Sequence, residues 1–332
     1  MTSAVVIGPV NVDLFLRGRA PLDPALLNQW IGPAEVDLLV AGSVGYTVQA
    51  FNRLGVRVDL CTTFGGDAFG TFLRDTLEKQ GVGLGLSRTA AGETAIGIYM
   101  LMFGGSKRPM TYRLPGFEPW PDPIPLEGSG GFDLVHCGGL LHFPAMWHRG
   151  LASAFEQAKS GGAMTSLDPQ FPLTDMPTPW LPHIKDVVPH VDVLLCDERE
   201  SLAIFDRDKP EDALVAALGM GPTTVAVKLG GRGALLSDGR ELIHQPAVEL
   251  PADQVRDSVG AGDAFDAGLL TALMRGDSLA AAGRFATAAA AMTLSGRGGS
   301  ERIADVATVE AALQSVPEPS RTRLVNDPLR RA

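Results

Sequence analysis

Along most of the chain, short apolar and β-branched runs alternate with stretches whose apolar positions recur every three to four residues. The strand-like runs fall at Ala4–Ile7, Val56–Cys61, Leu134–Cys137, Met164–Leu167, Val191–Leu195 and Thr224–Lys228. Between them, Asp67–Gln80 has helical spacing, with Asp67 placed to cap its first turn and Gly81 just past its end. Leu151–Lys159, Glu198–Phe205 and Glu211–Leu218 predict further helices. Two long helices and a third near Val306–Leu313 follow residue 260. This alternation is the pattern of a largely parallel sheet covered by helices. Gly233–Ser237 and Glu241–His244, joined by Ser-Asp-Gly, predict a hairpin at one edge of that sheet.

Two segments break the alternation. Leu14–Arg17 and Val36–Ala41 flank a Pro-rich loop, and Gly97–Phe103 faces Met110–Leu114 across Gly104-Gly105-Ser106. Both read as antiparallel excursions. The stretch from Pro317 to Ala332 is polar with four arginines, which predicts a tail that is mobile or draped on the surface.

Composition narrows the function classes. Of 332 residues, 45% are hydrophobic and 20% charged, enough apolar mass for a substantial core. The net charge of −10, with no basic stripe to offset it, argues against a nucleic-acid partner. The first residues carry no basic leader, and the alanine-rich stretch Ser278–Leu294 holds Arg284, so neither a signal peptide nor a membrane span is expected. Cys61, Cys137 and Cys196 each end an apolar run, as reduced core thiols of a cytoplasmic protein would. His136, His142 and His148 match no zinc spacing. Neither a P-loop nor a Gly-x-Gly-x-x-Gly dinucleotide fingerprint occurs.

The densest chemistry lies in Asp257-Ser258-Val259-Gly260-Ala261-Gly262-Asp263-Ala264-Phe265, after which Leu269, Leu270 and Leu273 continue at helical spacing. The pattern is a tight glycine-built turn opening a helix. Small residues let backbone N–H groups approach an anion, and the helix start adds roughly half a positive charge. Asp263 would repel that anion, unless its task is to take a proton from a nucleophile attacking it. A plain N-capped helix is the alternative. Asp13 follows the first strand, where open α/β sheets bind ligands, though a solvated loop acid fits as well. Asn11 suits either a ligand contact or an Asx turn. Lys228 ends a strand, from which it reaches either a phosphate or water.

Taken together, these residues resemble the ribokinase-like (PfkB) family of carbohydrate kinases. Asp257–Phe265 is similar to its C-terminal signature, and Gly8-Pro9-Val10-Asn11-Val12-Asp13 to its N-terminal Gly-x-x-x-x-Asp element. Ala41-Gly42-Ser43 resembles its substrate turn, and Gly65–Gly70 and Lys228–Gly233 have the family look. The motifs run in family order from about residue 4 to residue 300. The resemblance implies a three-layer α/β/α sandwich with a mostly parallel sheet, in a kinase domain spanning 1–316. A small β-sheet lid, from about 14–41 and 97–114, would cover the sugar, and the family sometimes dimerises through it.

The implied reaction is transfer of the γ-phosphoryl group of ATP to a sugar hydroxyl. In it Asp263 is the base, Gly260, Ala261 and Gly262 form the anion hole, and Asp13 binds sugar hydroxyls beside Asn11, Gly42, Ser43 and Tyr46. Lys228, Gly230 and Gly233 fall near the nucleotide. Asp197 and Glu200 stand where the family has Asn-x-x-Glu, acting through water on Mg²⁺ and the phosphates; they equally suit a helix cap. A monovalent cation near Asp257 belongs to the same expectation. Tyr112-Arg113 resembles the Tyr-Arg of 2-keto-3-deoxygluconate kinases, where Arg meets a carboxylate. Asp168-Pro169-Gln170 lacks the Arg that follows in those enzymes, and Arg113 also fits a plain surface strand. Tyr46 replaces the Asn of ribokinase itself, and Ala41 the first Gly of the usual pair. Nucleoside kinases share the fold, and Tyr46, Phe103 and Tyr112 leave base stacking open. A catalytically silent binding protein would have no need of the intact Gly-Ala-Gly-Asp.

Overall fold

The computed structural model describes residues 2–103, 110–126, 131–251, 253–255, 258–296 and 303–324. Asp257, and with it the expected monovalent-cation site, lies outside them. The strands are β1 (Ser3–Ile7), β2 (Asn11–Gly18), β3 (Ala34–Ala41), β4 (Arg57–Cys61), β5 (Thr63–Gly65), β6 (Arg88–Ala90), β7 (Ile96–Leu101) and β8 (Met110–Arg113). They continue as β9 (Leu134–Gly138), β10 (Met164–Asp168), β11 (Val193–Asp197), β12 (Thr224–Lys228), β13 (Ala234–Ser237), β14 (Glu241–Gln245) and β15 (Ser320–Arg323).

Nine of these form the main sheet, in the order β15-β14-β13-β12-β11-β10-β9-β1-β4. From β12 to β4 every pairing is parallel, and β13, β14 and β15 add antiparallel neighbours. The central strands are apolar on both faces, as a sheet covered twice must be. Val193, Leu195 and Ala226 point into one apolar layer, and Leu194, Cys196, Val225 and Val227 into the other. The first layer lies under helices Gly45–Arg53, Ala68–Lys79, Ala261–Met274 and Leu279–Leu294, the second under Leu151–Ser160, Glu198–Phe205 and Pro210–Leu218. Leu279–Leu294 is the alanine-rich stretch. Its small side chains let it lie close against Ala261–Met274, where a Cβ on Gly268 would come within 2.9 Å of the Ala286 backbone. Asp67 caps Ala68–Lys79 by accepting from the Gly70 N–H at 2.8 Å. No described helix is long and apolar enough to cross a membrane.

The lid is a four-stranded sheet, β3-β2-β7-β8. Its two hairpin-like pairs are antiparallel as the pattern predicts, but β2 and β7 join in parallel. The short parallel pair β5–β6 has too few residues to leave a periodic signal. Within the stretch expected to be mobile or draped on the surface, Ser320–Arg323 lies on the sheet edge: β15 pairs with β14 from Glu241↔Arg323 to His244↔Ser320. The β13–β14 hairpin therefore lies inside the sheet edge, and β15 blunts that edge with Arg321 and Arg323.

Candidate active site

Strand ends build the site. A cavity of about 270 Å³ opens between the lid and the carboxyl ends of the parallel strands. Asp13 and Asn11 from β2, Gly42, Ser43 and Tyr46 after β3, and Asp263 with Gly260 at the far side all line it. Asp13 is buried, with one carboxylate oxygen accepting from Asn11 Nδ2 at 2.7 Å and the other from the Tyr46 hydroxyl at 2.9 Å. Asn11 thus holds the aspartate. Burial pushes the Tyr46 phenol well up, and the neighbouring Asp13 charge adds to it, so the hydroxyl stays a donor. Gly42 and Gly97 make the approach possible. Gly42 sits at φ +102 against the Asn11 backbone, and a Cβ on Gly97 would come within 2.5 Å of Asp13 Oδ1.

On the opposite side, Gly260 adopts φ 77 as the residue preceding helix Ala261–Met274, a conformation that needs glycine. The first-turn N–H groups of a helix have no intrahelical partner, so the turn can hold an anion. A Cβ on Gly262 would meet nothing nearer than Lys228 Nζ at 3.8 Å, so the space above it is open. Asp263 is half-buried and accepts from Thr47 Oγ1 at 2.9 Å. Desolvation at the cavity floor raises its carboxyl to about 6, against the opposing pull of Lys228. A carboxylate so placed ionises near neutral pH and retains useful basicity.

The remaining candidates behave differently. Lys228 does not reach into solvent: its ammonium lies between Asp168 and Asp266. Asp197 and Glu200 form a reciprocal capping box, Asp197 Oδ1 accepting from Glu200 N at 2.7 Å and Glu200 Oε2 from Asp197 N at 2.6 Å. Burial, with Asp168 adding, lifts Glu200 to about 8. Gly230, at φ +60, faces open space, whereas a Cβ on Gly233 would collide with the Gln245 carbonyl of the neighbouring strand. Gly233 therefore has a packing reason of its own. Arg113 lines the cavity, but its guanidinium donates twice to the Thr94 carbonyl, at 3.2 and 2.8 Å. It also pairs with Glu93 at 3.0 Å and lies 3.7 Å from Asp67. Tyr112 donates to the Leu173 carbonyl at 2.7 Å, tying the lid to the body. Phe103 is not among the cavity's lining residues, whereas Tyr99 and Phe143 are.

Four lining or supporting residues carry no motif of their own: Thr47, Tyr99, His142 and Gln170. His142 Nδ1 lies 2.9 Å from Ser43 Oγ, and burial lowers the ring to about 4, keeping it neutral. Gln170, at φ 56, donates from Nε2 to the Ser43 carbonyl at 3.0 Å. Helical spacing in 44–54 marks Thr47 as a helix position, but only the packing of that helix on Ala261–Met274 brings it to Asp263.

The pfkB family carbohydrate kinase model matches residues 1–305. An ATP-dependent 6-phosphofructokinase of Thermoanaerobacterium thermosaccharolyticum is 25% identical over 236 residues, 68% of this chain and 70% of that protein. A ribokinase of Arabidopsis thaliana is 26% identical over 312 residues, 89% of this chain and 76% of its own. A structure of Arabidopsis thaliana ribokinase complexed with ribose and ATP superposes with a TM-score of 0.74 at 23% identity, over 95% of this chain and 99% of that one. The chain belongs to the pfkB family of carbohydrate kinases and has the ribokinase-like fold. It is a phosphotransferase with an alcohol group as acceptor.

Proposed function

We propose that the cavity presents a hydroxyl of a sugar or sugar derivative to Asp263, with the γ-phosphoryl of ATP seated on the Gly260–Gly262 turn. The hydroxyl oxygen attacks phosphorus as its proton passes to the Asp263 carboxylate. The bond to the β-phosphate oxygen breaks, and ADP leaves with the electron pair. One observation carries this reading: a single cavity has a buried carboxylate, Asp13, at one side and a half-buried carboxylate, Asp263, beside an open glycine turn at the other. Ser43, Tyr46, His142 and Gln170 supply further polar groups for the sugar.

Mg²⁺ neutralises phosphate charge in such transfers. Asp197 suits it through water, because the capping box engages only its Oδ1, whereas Glu200, buried and lifted to about 8, would serve it only on losing its proton. No group of three or more His, Cys, Asp or Glu among the described residues would ligate a metal directly. Lys228 acts beside the anion-binding turn, and Gly230 is the member of its motif left open to a nucleotide. Exposed Val36, on the lid face turned away from the cavity, suits a homodimer through the lid. Buried free thiols at Cys61, Cys137 and Cys196 suit a cytoplasmic setting.

A nucleoside as acceptor has one observation in its favour, the aromatic lining from Tyr46, Tyr99, Tyr112 and Phe143. An ADP-release screen over sugars, sugar acids, polyols and nucleosides tests both readings. Turnover of a sugar-type acceptor is expected; turnover confined to nucleosides moves the assignment to the second. If nothing is phosphorylated although one of these compounds binds tightly, the chain is a silent binder.

A further inference from the structure

Lys228 ends β12 and Asp168 ends β10. Both stand at the sheet face covered by helix Ala261–Met274, since Ala226, two residues before Lys228, belongs to the apolar layer under that helix. Asp266, one turn beyond Asp263, meets them there. The ammonium lies 2.9 Å from Asp168 Oδ2 and 2.8 Å from Asp266 Oδ2, and the three side chains are 15%, 5% and 2% exposed. The second oxygen of Asp168 accepts from the Gln170 N–H at 3.2 Å, which links the cluster to the cavity wall. The second oxygen of Asp266 is buried without a hydrogen-bond partner. A buried ion pair gains little stability over apolar packing, so its retention here calls for another reason.

Position supplies that reason. A Cβ on Gly262 would be 3.8 Å from Lys228 Nζ, which puts the ammonium beside the anion-binding turn. Asp168, Asp263 and Asp266 crowd one poorly solvated layer, and without a cation they would hold protons rather than ionise. We propose that Lys228, clamped by Asp168 and Asp266, is a positioning residue for phosphoryl transfer: its fixed ammonium keeps the Asp263 carboxylate free to take the proton. The inference rests on Asp263 as the base.

The charged and titratable groups around Asp263 come from every neighbouring element. Tyr46 comes from helix Gly45–Arg53, Lys228 from β12, Asp168 from β10 and Asp266 from its own helix, while Asp13 and His142 line the same cavity. Burial raises Asp263 to about 6, Lys228 is the strongest opposing influence, and Asp168 adds to the rise. Removing Lys228 therefore moves the carboxyl further up. The Lys228 ammonium itself would be pulled down by burial, but Asp168 and Asp266 outweigh that and hold it charged.

The test uses Lys228→Met and the double variant Lys228→Met/Asp266→Asn. The second removes the ammonium together with the Asp266 carboxyl, which burial, with Asp168 adding, pushes well above the usual carboxylate range, and so leaves one buried acid fewer without its cation. With the best acceptor of the ADP-release screen, the acid limb of kcat/KM is expected to move up by at least one pH unit in Lys228→Met, and by less in the double variant. KM for MgATP should stay within about threefold. A second readout needs no substrate. Asp263→Asn should raise Tm with a gain that grows above pH 4 and levels off above pH 6, the window set by a carboxyl raised from 3.8 to about 6. In either Lys228 background that gain should keep growing beyond pH 7. An unmoved acid limb together with an unmoved plateau would overturn the proposal, as would a raised KM for MgATP with the limb in place. If Asp263→Asn alone keeps wild-type kcat, the base reading itself fails. If Asp263→Asn abolishes turnover and the Lys228 variants shift neither curve, only the present inference falls.

Discussion

Asp13→Ala probes the substrate side of the cavity most sharply. Asp13 is 4% exposed, and its partners include Asn11 and Tyr46, which donate to different oxygens. A carboxylate offers about four acceptor sites, so it can take hydrogen bonds from substrate hydroxyls beside those of its protein donors. Hydrogen bonds to a charged acceptor contribute about 1.5–3 kcal/mol each. Two of them correspond to a loss of about 10²–10⁴ in kcat/KM, at about 1.4 kcal/mol per factor of ten. Asp13→Asn keeps the shape and one acceptor, and should fall between wild type and Ala. The assay is coupled ADP release for kcat/KM, with calorimetric titration of ATP as control, because ATP does not need Asp13. Nucleotide affinity should change by less than about threefold. A fall in kcat/KM of under tenfold in Asp13→Ala would refute the assignment of two substrate hydrogen bonds to this carboxylate.

Three further substitutions separate roles that overlap in the site. Gly262→Val should abolish turnover with little change in Tm, since its Cβ would meet only the flexible end of Lys228; an active variant would leave the glycine to the helix turn alone. Arg113→Ala should lower Tm and change turnover equally for all acceptors, because the guanidinium is spent on Thr94, Glu93 and Asp67; a selective loss on sugar acids would show a substrate carboxylate instead. Asp197→Ala should cost about 1 kcal/mol of stability through the lost cap and should raise the Mg²⁺ concentration needed for half-maximal turnover. Unchanged Mg²⁺ dependence would reduce Asp197 to its cap.

Much of this was legible in the chain itself, for stated reasons. The parallel strands announce themselves because both faces are apolar, and the Asp67 cap because its side chain acts on the next turn. The glycine turn before Asp263 shows because a left-handed residue at Gly260 tolerates little else. Local signals stop where partners are distant in sequence. Lys228 meets Asp168 across 60 residues and Asp266 across 38, so a lysine ending a strand gives no hint that it is clamped. Arg113 shares its motif with carboxylate-binding enzymes, but Asp67, Glu93 and Thr94, which occupy it here, come from separate segments. β15 is short and polar because it is an edge strand, and so it reads as a tail. His142 and Gln170 reach the cavity by irregular backbone after β9 and β10, where periodicity has nothing to say.

The central claim is that Asp263 takes the proton from the acceptor hydroxyl, and Asp263→Asn measures it most directly. The amide keeps the size and the helix position but cannot accept that proton. General-base loss typically costs about 10²–10⁴ in rate, so kcat should fall by that order with ATP binding retained. A variant that keeps more than about a third of wild-type kcat, with the chemical step shown to limit turnover, would contradict the account.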